Sequence, residues 1–504
     1  MTSLSTLFTE LGSAAKAPTG LVPFQFREVG GDILLTNFLG DWLFVTKDEF
    51  RALARGELDS ASPLRDKLAS RNFLREGLDQ AKAAERIAYK KRFLNWGPNL
   101  HIAVVTLRCN ETCVYCHASR ANMDAVHTDM TPEIGEKVVD LMLQSTSPSV
   151  TLEFQGGEPL ANFPVMKHVI EYALARNRAY GKELEFTMVS NLAMMDAEKL
   201  AFLVDRKVQI CTSIDGPEHL HTKQRILAGG NAHREAVKWI ERINKAYIDI
   251  GLDPTLYHVE ALLTTTREAL KYPKEIVDTY VGLGCRAIFL RPVDPFGFAG
   301  RTAQIVEYDR AAYNDFYRTA VEHILDLNRR GEQVLERYGS IFLTKILGDD
   351  DPNFLDIRSP SGSGIGALAY NYDGKIFSSD EGRMMYETGD PAFQIGDVFT
   401  STYRSLMKHE TVRALVMASI RETQPDCVNC TYSPYCGVQP EHSYRTQGTI
   451  FGRMRESTLC AVHKGIQDFL FDKLRENDPK TVEILQRWTT VRARTHFIHA
   501  SSAS

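Results

Sequence analysis

Leu100-His-Ile-Ala-Val-Val-Thr-Leu-Arg-Cys109-Asn-Glu-Thr-Cys113-Val-Tyr115-Cys116 is the stretch on which the reading of this chain turns. Its first half is a β-branched apolar run of strand type. Its second half carries three thiols spaced C-x3-C-x2-C. Three thiolates on a short loop can hold three irons of a cubane cluster and leave the fourth open, whereas a closed cluster takes four cysteines. A zinc knuckle with His117 as fourth ligand is the alternative that spacing alone leaves standing.

Downstream, Val150-Thr-Leu-Glu-Phe-Gln-Gly-Gly-Glu-Pro reads as a second strand running into a glycine turn, Gly156 to Pro159. A turn without Cβ atoms lets backbone groups approach a ligand closely. Glu185-Phe-Thr-Met-Val-Ser-Asn and Val208-Gln-Ile-Cys-Thr-Ser-Ile-Asp-Gly-Pro read as later strands, with Ser190, Asn191, Ser213 and Asp215 at their C-terminal ends. Polar residues where parallel strands end are expected ligand contacts. Ala287-Ile-Phe-Leu-Arg-Pro-Val reads as a sixth strand, and Thr131-Pro132-Glu133 opens a helix whose Ile134, Val138, Leu141 and Met142 form its buried stripe. Upstream, Phe24-Gln-Phe-Arg-Glu-Val, Asp32-Ile-Leu-Leu-Thr-Asn and Trp42-Leu-Phe-Val-Thr are short strands, followed by a Thr46/Glu49 capping box and two short helices.

At 504 residues the chain exceeds one ordinary domain, and 43% hydrophobic with 24% charged residues is a globular composition. A net charge of −5 and a pI near 6.3 argue against nucleic-acid binding by phosphate neutralisation. No apolar run approaches the ~20 residues of a membrane span, and the start, Met1-Thr-Ser-Leu-Ser-Thr-Leu-Phe, lacks the basic and apolar regions of a secretory signal. The expectation is a cytoplasmic protein with no membrane partner. In a reducing compartment nine cysteines point to metal ligation rather than disulfides. Cys211 and Cys285 sit in apolar runs and read as small buried hydrophobes. The rest fall into Cys109/Cys113/Cys116 and Cys427/Cys430/Cys436 with Cys460.

On these residues the chain resembles the radical S-adenosylmethionine (SAM) superfamily, whose loop is C-x3-C-x-aromatic-C and whose second strand ends in Gly-Gly-Glu-Pro. The resemblance implies an α/β fold: a partial (β/α)6 radical SAM barrel at 96–302, a small α+β N-terminal domain at 1–95 and a helical bridge at 303–355. A C-terminal SPASM/twitch-like iron–sulfur domain at 356–475 and a tail at 476–504 complete it. The N-terminal unit resembles the winged-helix peptide-recognition domains of peptide-modifying enzymes; an adaptor that only packs against the barrel is the other reading.

The implied chemistry follows. SAM chelates the open iron of a [4Fe-4S] cluster, and one electron from a donor such as flavodoxin or ferredoxin cleaves it to a 5′-deoxyadenosyl radical. That radical abstracts hydrogen from a precursor peptide or protein. In the resemblance Gly156, Gly157 and Glu158 take the SAM amino group, Tyr115 lies beside the adenine, and Ser190 and Asn191 reach the ribose. Ser213 and Asp215 complete the strand-end contacts, and Arg225, which follows the Asp215-Gly-Pro turn and His221 with Thr222 where the resemblance expects an acid, pairs with the SAM carboxylate unless it is a solvated helix arginine.

The C-terminal cysteines resemble the SPASM domain with one of its two auxiliary clusters deleted. The outer set survives as Cys427, Cys430, Cys436 and Cys460, for one auxiliary [4Fe-4S] cluster, with zinc as the alternative. The inner set is absent: Ser359-Pro-Ser-Gly-Ser-Gly holds no cysteine, Ser379 stands before Asp380, and Pro440 occupies the x3-C position. By analogy with sulfatase maturases Asp380 is the expected general base, provided that it faces the barrel mouth; a capping aspartate is the other reading. Longer strings, among them Pro295-Phe-Gly-Phe-Ala and Asp380-Glu-Gly-Arg-Met, resemble the His-Xaa-Ser system maturases (HxsB type), thought to act beside a second radical SAM maturase. A formylglycine-generating sulfatase-type maturase and a zinc-bearing peptide scaffold are the competing readings. The missing inner set argues against the first and the intact glycine turn against the second.

Overall fold

The computed structural model describes residues 20–58, 62–352 and 354–500. The Met1–Phe8 start read for a signal, and the last four residues of the tail, lie outside them. The N-terminal unit is a meander of β1 (Phe24–Val29), β2 (Asp32–Asn37) and β3 (Trp42–Val45), the bounds its alternation predicts. Its first reversal is Gly30-Gly31, both at positive φ (56° and 95°), which only glycine adopts without strain. The capping box forms: the Thr46 hydroxyl accepts the Glu49 N–H, and the Glu49 carboxylate accepts the Thr46 N–H at 2.7 Å. One sheet face packs Ile33, Leu35, Leu43 and Val45 on Phe50, Leu53, Leu64 and Leu68 of the helices Lys47–Arg55 and Pro63–Ser70. A third helix, Gln80–Lys90, goes beyond the two expected.

The other face docks on the C-terminal region. Arg27 grips Asp468 with two 2.7 Å bonds, Thr36 donates to the Thr431 carbonyl, and Trp42 packs edge-on against Phe471 at 5.4 Å. An adaptor packed only on the barrel is therefore corrected: this unit leans on the cysteine-bearing domain.

Six parallel strands follow in chain order: β4 (Leu100–Thr106), β6 (Ser149–Gly156), β7 (Glu183–Ser190), β8 (Val208–Ser213), β10 (Glu260–Thr265) and β11 (Ala287–Pro292). The helix Pro132–Met142 buries Ile134, Val138, Leu141 and Met142 under a Thr131 cap, as its stripe predicts. A partial barrel leaves two open edges, and unpaired strand edges demand partners. Here β12 (Leu335–Glu336) extends the β11 side, and β13 (Ala367–Tyr370) pairs parallel with β4. β13 continues through β14 (Lys375–Phe377) and β15 (Gln394–Asp397) as an antiparallel meander, so one ten-stranded sheet joins the barrel to the C-terminal region.

The expected bridge is helical, Arg310–Arg329 and Arg337–Leu347. The tail is part of the body. Its helix Pro479–Trp488 buries Ile484, Leu485 and Trp488, and His499 exchanges backbone hydrogen bonds with Leu184 at the start of β7. No helix of the described residues is long and apolar enough to cross a membrane.

Candidate active site and thiol centres

The cysteine loop leaves the C-terminal end of β4 and is clamped on both sides. Ala121 N–H donates to Leu107 O at 2.6 Å, and β5 (Glu111–Cys113) pairs antiparallel with β9 (Arg225–Leu227), setting Cys113 opposite Arg225. All three thiols are half-buried. Around them stand donors: Glu111 N–H at 3.4 Å and the Asn191 amide at 3.8 Å from Cys109 Sγ, and the Arg225 guanidinium at 3.7 Å from Cys113 Sγ. Burial pushes the Cys109 thiol up to about 12 and raises Cys113 further, with Arg225 pulling Cys113 the other way. Thiols so placed ionise only when a cation supplies the charge, while the N–H groups suit the thiolates that result. That donor set fits an iron–sulfur cluster. Among the described residues no group of three or more His, Cys, Asp or Glu side chains stands ready to hold a metal ion by itself.

Asp215 is the hub beneath the loop. It is fully buried and accepts from Tyr115 OH at 2.6 and 2.7 Å, from the Gln224 amide at 3.1 Å and from Arg225 Nε at 3.2 Å. Arg225 also faces Glu111 at 3.8 Å, and its guanidinium lies 5.3 Å from the Tyr115 ring centroid. Burial raises the Asp215 carboxyl and Arg225 opposes it. One expectation changes here. Arg225 is no solvated helix residue: it begins β9 and is buried. The Tyr115 hydroxyl is held by Asp215, which fixes the ring within the cysteine loop. Ser213 ends β8 half-buried.

The glycine turn packs tightly on the cysteine loop. A Cβ on Gly156 (φ 152°) would lie 2.1 Å from Thr106 O, and one on Gly157 would lie 2.3 Å from Leu107 O. Both glycines are thus required by the backbone of the cysteine loop. Glu158, next in the turn, is fully buried. It accepts from Ser190 OH and Asn191 N–H at 2.8 Å each and from Leu160 N–H at 3.0 Å. Ser190 thereby braces Glu158. Asn191 keeps its side chain at the loop, donating to Asn110 Oδ1 at 2.9 Å.

Burial pushes the Glu158 carboxyl up to about 7, against the pull of those three donors. A carboxyl raised in the folded state contributes stability that is fully present below its ordinary value of 4.5 and is lost as pH rises through about 7. Urea unfolding at pH 5 and pH 8 should therefore show a steeper fall in stability for wild type than for Glu158→Gln. Equal slopes would contradict this assignment.

Beyond the third cysteine the chain meets the C-terminal region. Phe298 N–H donates to Cys116 O at 2.9 Å, Asp294 N–H to His117 Nε2 at 3.4 Å, and Arg383 to Ala118 O at 3.4 Å. Asp380 begins the helix Asp380–Tyr386, capped by Ser379, and pairs with the buried Arg383 at 2.7 Å. Its charge is felt at His117 and at Glu153 of β6. Ser363 and Ser379, where the resemblance expects inner-cluster cysteines, flank the buried Glu441 carboxyl, one residue past Pro440. Ser361 and Ser363 hydroxyls stand 3.3 Å apart.

The outer cysteines share one cavity, lined by Cys427, Cys430, Cys436 and Cys460. Cys427 and Cys430 lie on a tight turn, and Cys460 occupies the first turn of the helix Thr458–Glu476, its N–H accepted by Ser457. His463, one turn on, stands 3.8 Å from Cys436 Sγ. Burial raises Cys427 and Cys436 to about 12, and the neighbouring thiols add to the rise. A set of four thiols is the donor chemistry of a cation with thiolate affinity. Cys211 and Cys285 are buried in the barrel core, as expected. The sequence reading passed over Glu111, Gln224 and His463. Only Glu111 carried a signal, standing between two of the loop cysteines.

Residues 103–260 match the Radical SAM superfamily. Among curated relatives, the radical SAM cyclopropyl synthase TigE of Paramaledivibacter caminithermalis is 25% identical over 29% of this chain and 33% of its own. A cysteine-type anaerobic sulfatase-maturating enzyme of Clostridium perfringens is 30% identical over 23% and 32%. An uncharacterised protein of Methanocaldococcus jannaschii is 23% identical over 37% and 60%. The chain thus spans less than two thirds of each relative's length. Among solved structures, anSMEcpe with bound AdoMet and Cp18Cys peptide superposes with a TM-score of 0.61 at 15% identity, over 77% of this chain and all of that one. Streptococcus suis SuiB bound to its precursor peptide SuiA gives 0.51 at 12% identity, over 88% and 99%. These likenesses show the fold.

Proposed function

We propose that this chain, which carries a Radical SAM superfamily domain over residues 103–260, is an enzyme that reductively cleaves SAM and modifies a peptide or protein substrate. The observation that carries it is the thiol loop at the mouth of six parallel strands, with Asn191 and Arg225 donors aimed at two of its sulfurs. A [4Fe-4S] cluster held by Cys109, Cys113 and Cys116 would supply the electron and the open coordination site. The chain's own residues fix the geometry. Asp215 locks Tyr115 and Arg225, β9 pins the loop, and Glu158 ties the glycine turn to the end of β7. Arg225 keeps a positive charge beside Cys113 where a carboxylate ligand could be met.

Cys427, Cys430, Cys436 and Cys460 are proposed to hold one auxiliary [4Fe-4S] cluster, His463 being placed to donate to the Cys436 thiolate. A substrate with His-Xaa-Ser repeats, an electron donor such as flavodoxin or ferredoxin, and a second maturase belong to the same reading. It is supported by the strings shared with that family and by peptide-bound neighbours of the same fold. The reconstituted chain with SAM and dithionite should release 5′-deoxyadenosine and methionine; release of neither overturns the proposal. Asp380→Asn should spare that cleavage and block the peptide product, because a general base acts on the substrate and not on SAM. Unchanged product formation would remove Asp380 from the mechanism.

A further inference from the structure

The contact region between the barrel mouth and the C-terminal region is crowded with carboxyls that the proposed chemistry does not use. Glu153 comes from β6, Asp294 follows β11, Asp356 precedes β13, Asp380 and Glu381 open one helix, and Glu441 lies on another, Pro440–Gln447. Two guanidinium groups face these six. Arg383 is taken by Asp380 at 2.7 Å. Arg291 lies 3.7 Å from Asp294 and is shared with Asp356 and Glu381. His117 and His442 also face the group, and burial drives both toward the neutral form. Glu153 accepts hydrogen bonds from the neutral donors Gln155 at 2.5 Å and Thr187 at 3.1 Å and feels the same Arg291. Glu441 is met only by the hydroxyls of Ser363 and Ser379.

A second observation separates this from a merely acidic patch. Glu441 is 3% exposed, and its Oε1 has no hydrogen-bond partner, although the carboxyl stands close enough to Glu381 to oppose its ionisation. An orphaned buried carboxylate oxygen is costly, the more so where charge develops, and a donor seated against it relieves that cost. Like charge and burial raise Glu381 and Asp356 together, so the group is short of positive charge.

We propose that this cluster of carboxyls is a recognition site for a cationic side chain of the substrate, a lysine ammonium or arginine guanidinium seated among Asp356, Glu381 and Glu441. The inference rests on the substrate being a peptide or protein, as proposed above, and names what that substrate must present. A cation there would gain the Coulomb energy that one shared guanidinium leaves unspent, in a site where water screens weakly. It would also anchor the substrate beside Asp380, on the helix whose Arg383 reaches Ala118 O just past the cysteine loop.

The test uses the full chain and dansyl-labelled Gly-Ala-X-Ala-Gly peptides, with X lysine, arginine, norleucine or citrulline. Fluorescence anisotropy should show lysine and arginine peptides binding at least tenfold more tightly than their neutral counterparts. Asp356→Asn/Glu381→Gln should abolish that preference, as should Glu441→Gln, whose near-isosteric side chain keeps the fold. Neutralising buried acids removes a burial cost, so these variants should melt no lower than wild type. Equal or absent binding of all four peptides would overturn the inference. So would a preference that survives both variants. Release of 5′-deoxyadenosine without peptide reports on the SAM chemistry alone, so its failure is distinguishable from failure of this site.

Discussion

Asp215→Ala is expected to cost about 3–5 kcal/mol of stability, the range for removing one partner of a buried ion pair. The loss is large because three groups lose their acceptor together. Tyr115 OH and the Gln224 amide are orphaned where water does not reach, and Arg225 is left with Glu111 at 3.8 Å. The same change frees the cysteine loop from β8 and lets Arg225 leave Cys113. SAM cleavage should therefore fall by at least a hundredfold in the refolded variant. Urea denaturation followed by circular dichroism, with 5′-deoxyadenosine release measured on the same preparation, checks both. A variant with wild-type stability, or one that still cleaves SAM at the wild-type rate, would show that Asp215 is not the hub.

The second large effect is expected at Gly156. A methyl group there would sit 2.1 Å from Thr106 O, a backbone atom that β4 pairing holds in place, and φ of 152° is itself unfavourable for alanine. Gly156→Ala should lose about 3 kcal/mol, at the upper end of overpacking costs. Gly282→Ala is the internal control. It lies in the helix Pro273–Gly282 with nothing within 4 Å of its added Cβ, and should gain up to about 1 kcal/mol. Comparable behaviour of the two variants would contradict the close backbone approach.

Much of this architecture is legible in the chain because its signals are local. The Cys109–Cys116 spacing, the strand of β-branched residues before it, the Gly30-Gly31 reversal and the Thr46/Glu49 box each act within a few residues. What stays hidden depends on distant partners. β13 pairs with β4 across some 260 residues, and nothing in Ala367-Leu-Ala-Tyr370 says so. His499 meets Leu184 only because the tail returns to the start of β7. The site divides the same way. Its cysteines are readable from spacing, whereas the engagement of Tyr115 with Asp215, and of Glu158 with Ser190, is set by burial. A polar residue at a strand end can serve a ligand or a neighbour, and its spacing in the chain does not say which neighbour it meets. Serines standing where cysteines are expected gave no hint that a glutamate one residue past Pro440 would gather them.

The most direct test of the whole account is iron, sulfide and zinc per chain after anaerobic reconstitution, for wild type and for the Cys109/Cys113/Cys116→Ala variant. Two clusters of four irons each predict about eight irons per chain, falling to about four in the variant. Iron unchanged by loss of the three loop cysteines, or a chain that takes up zinc alone, would contradict it.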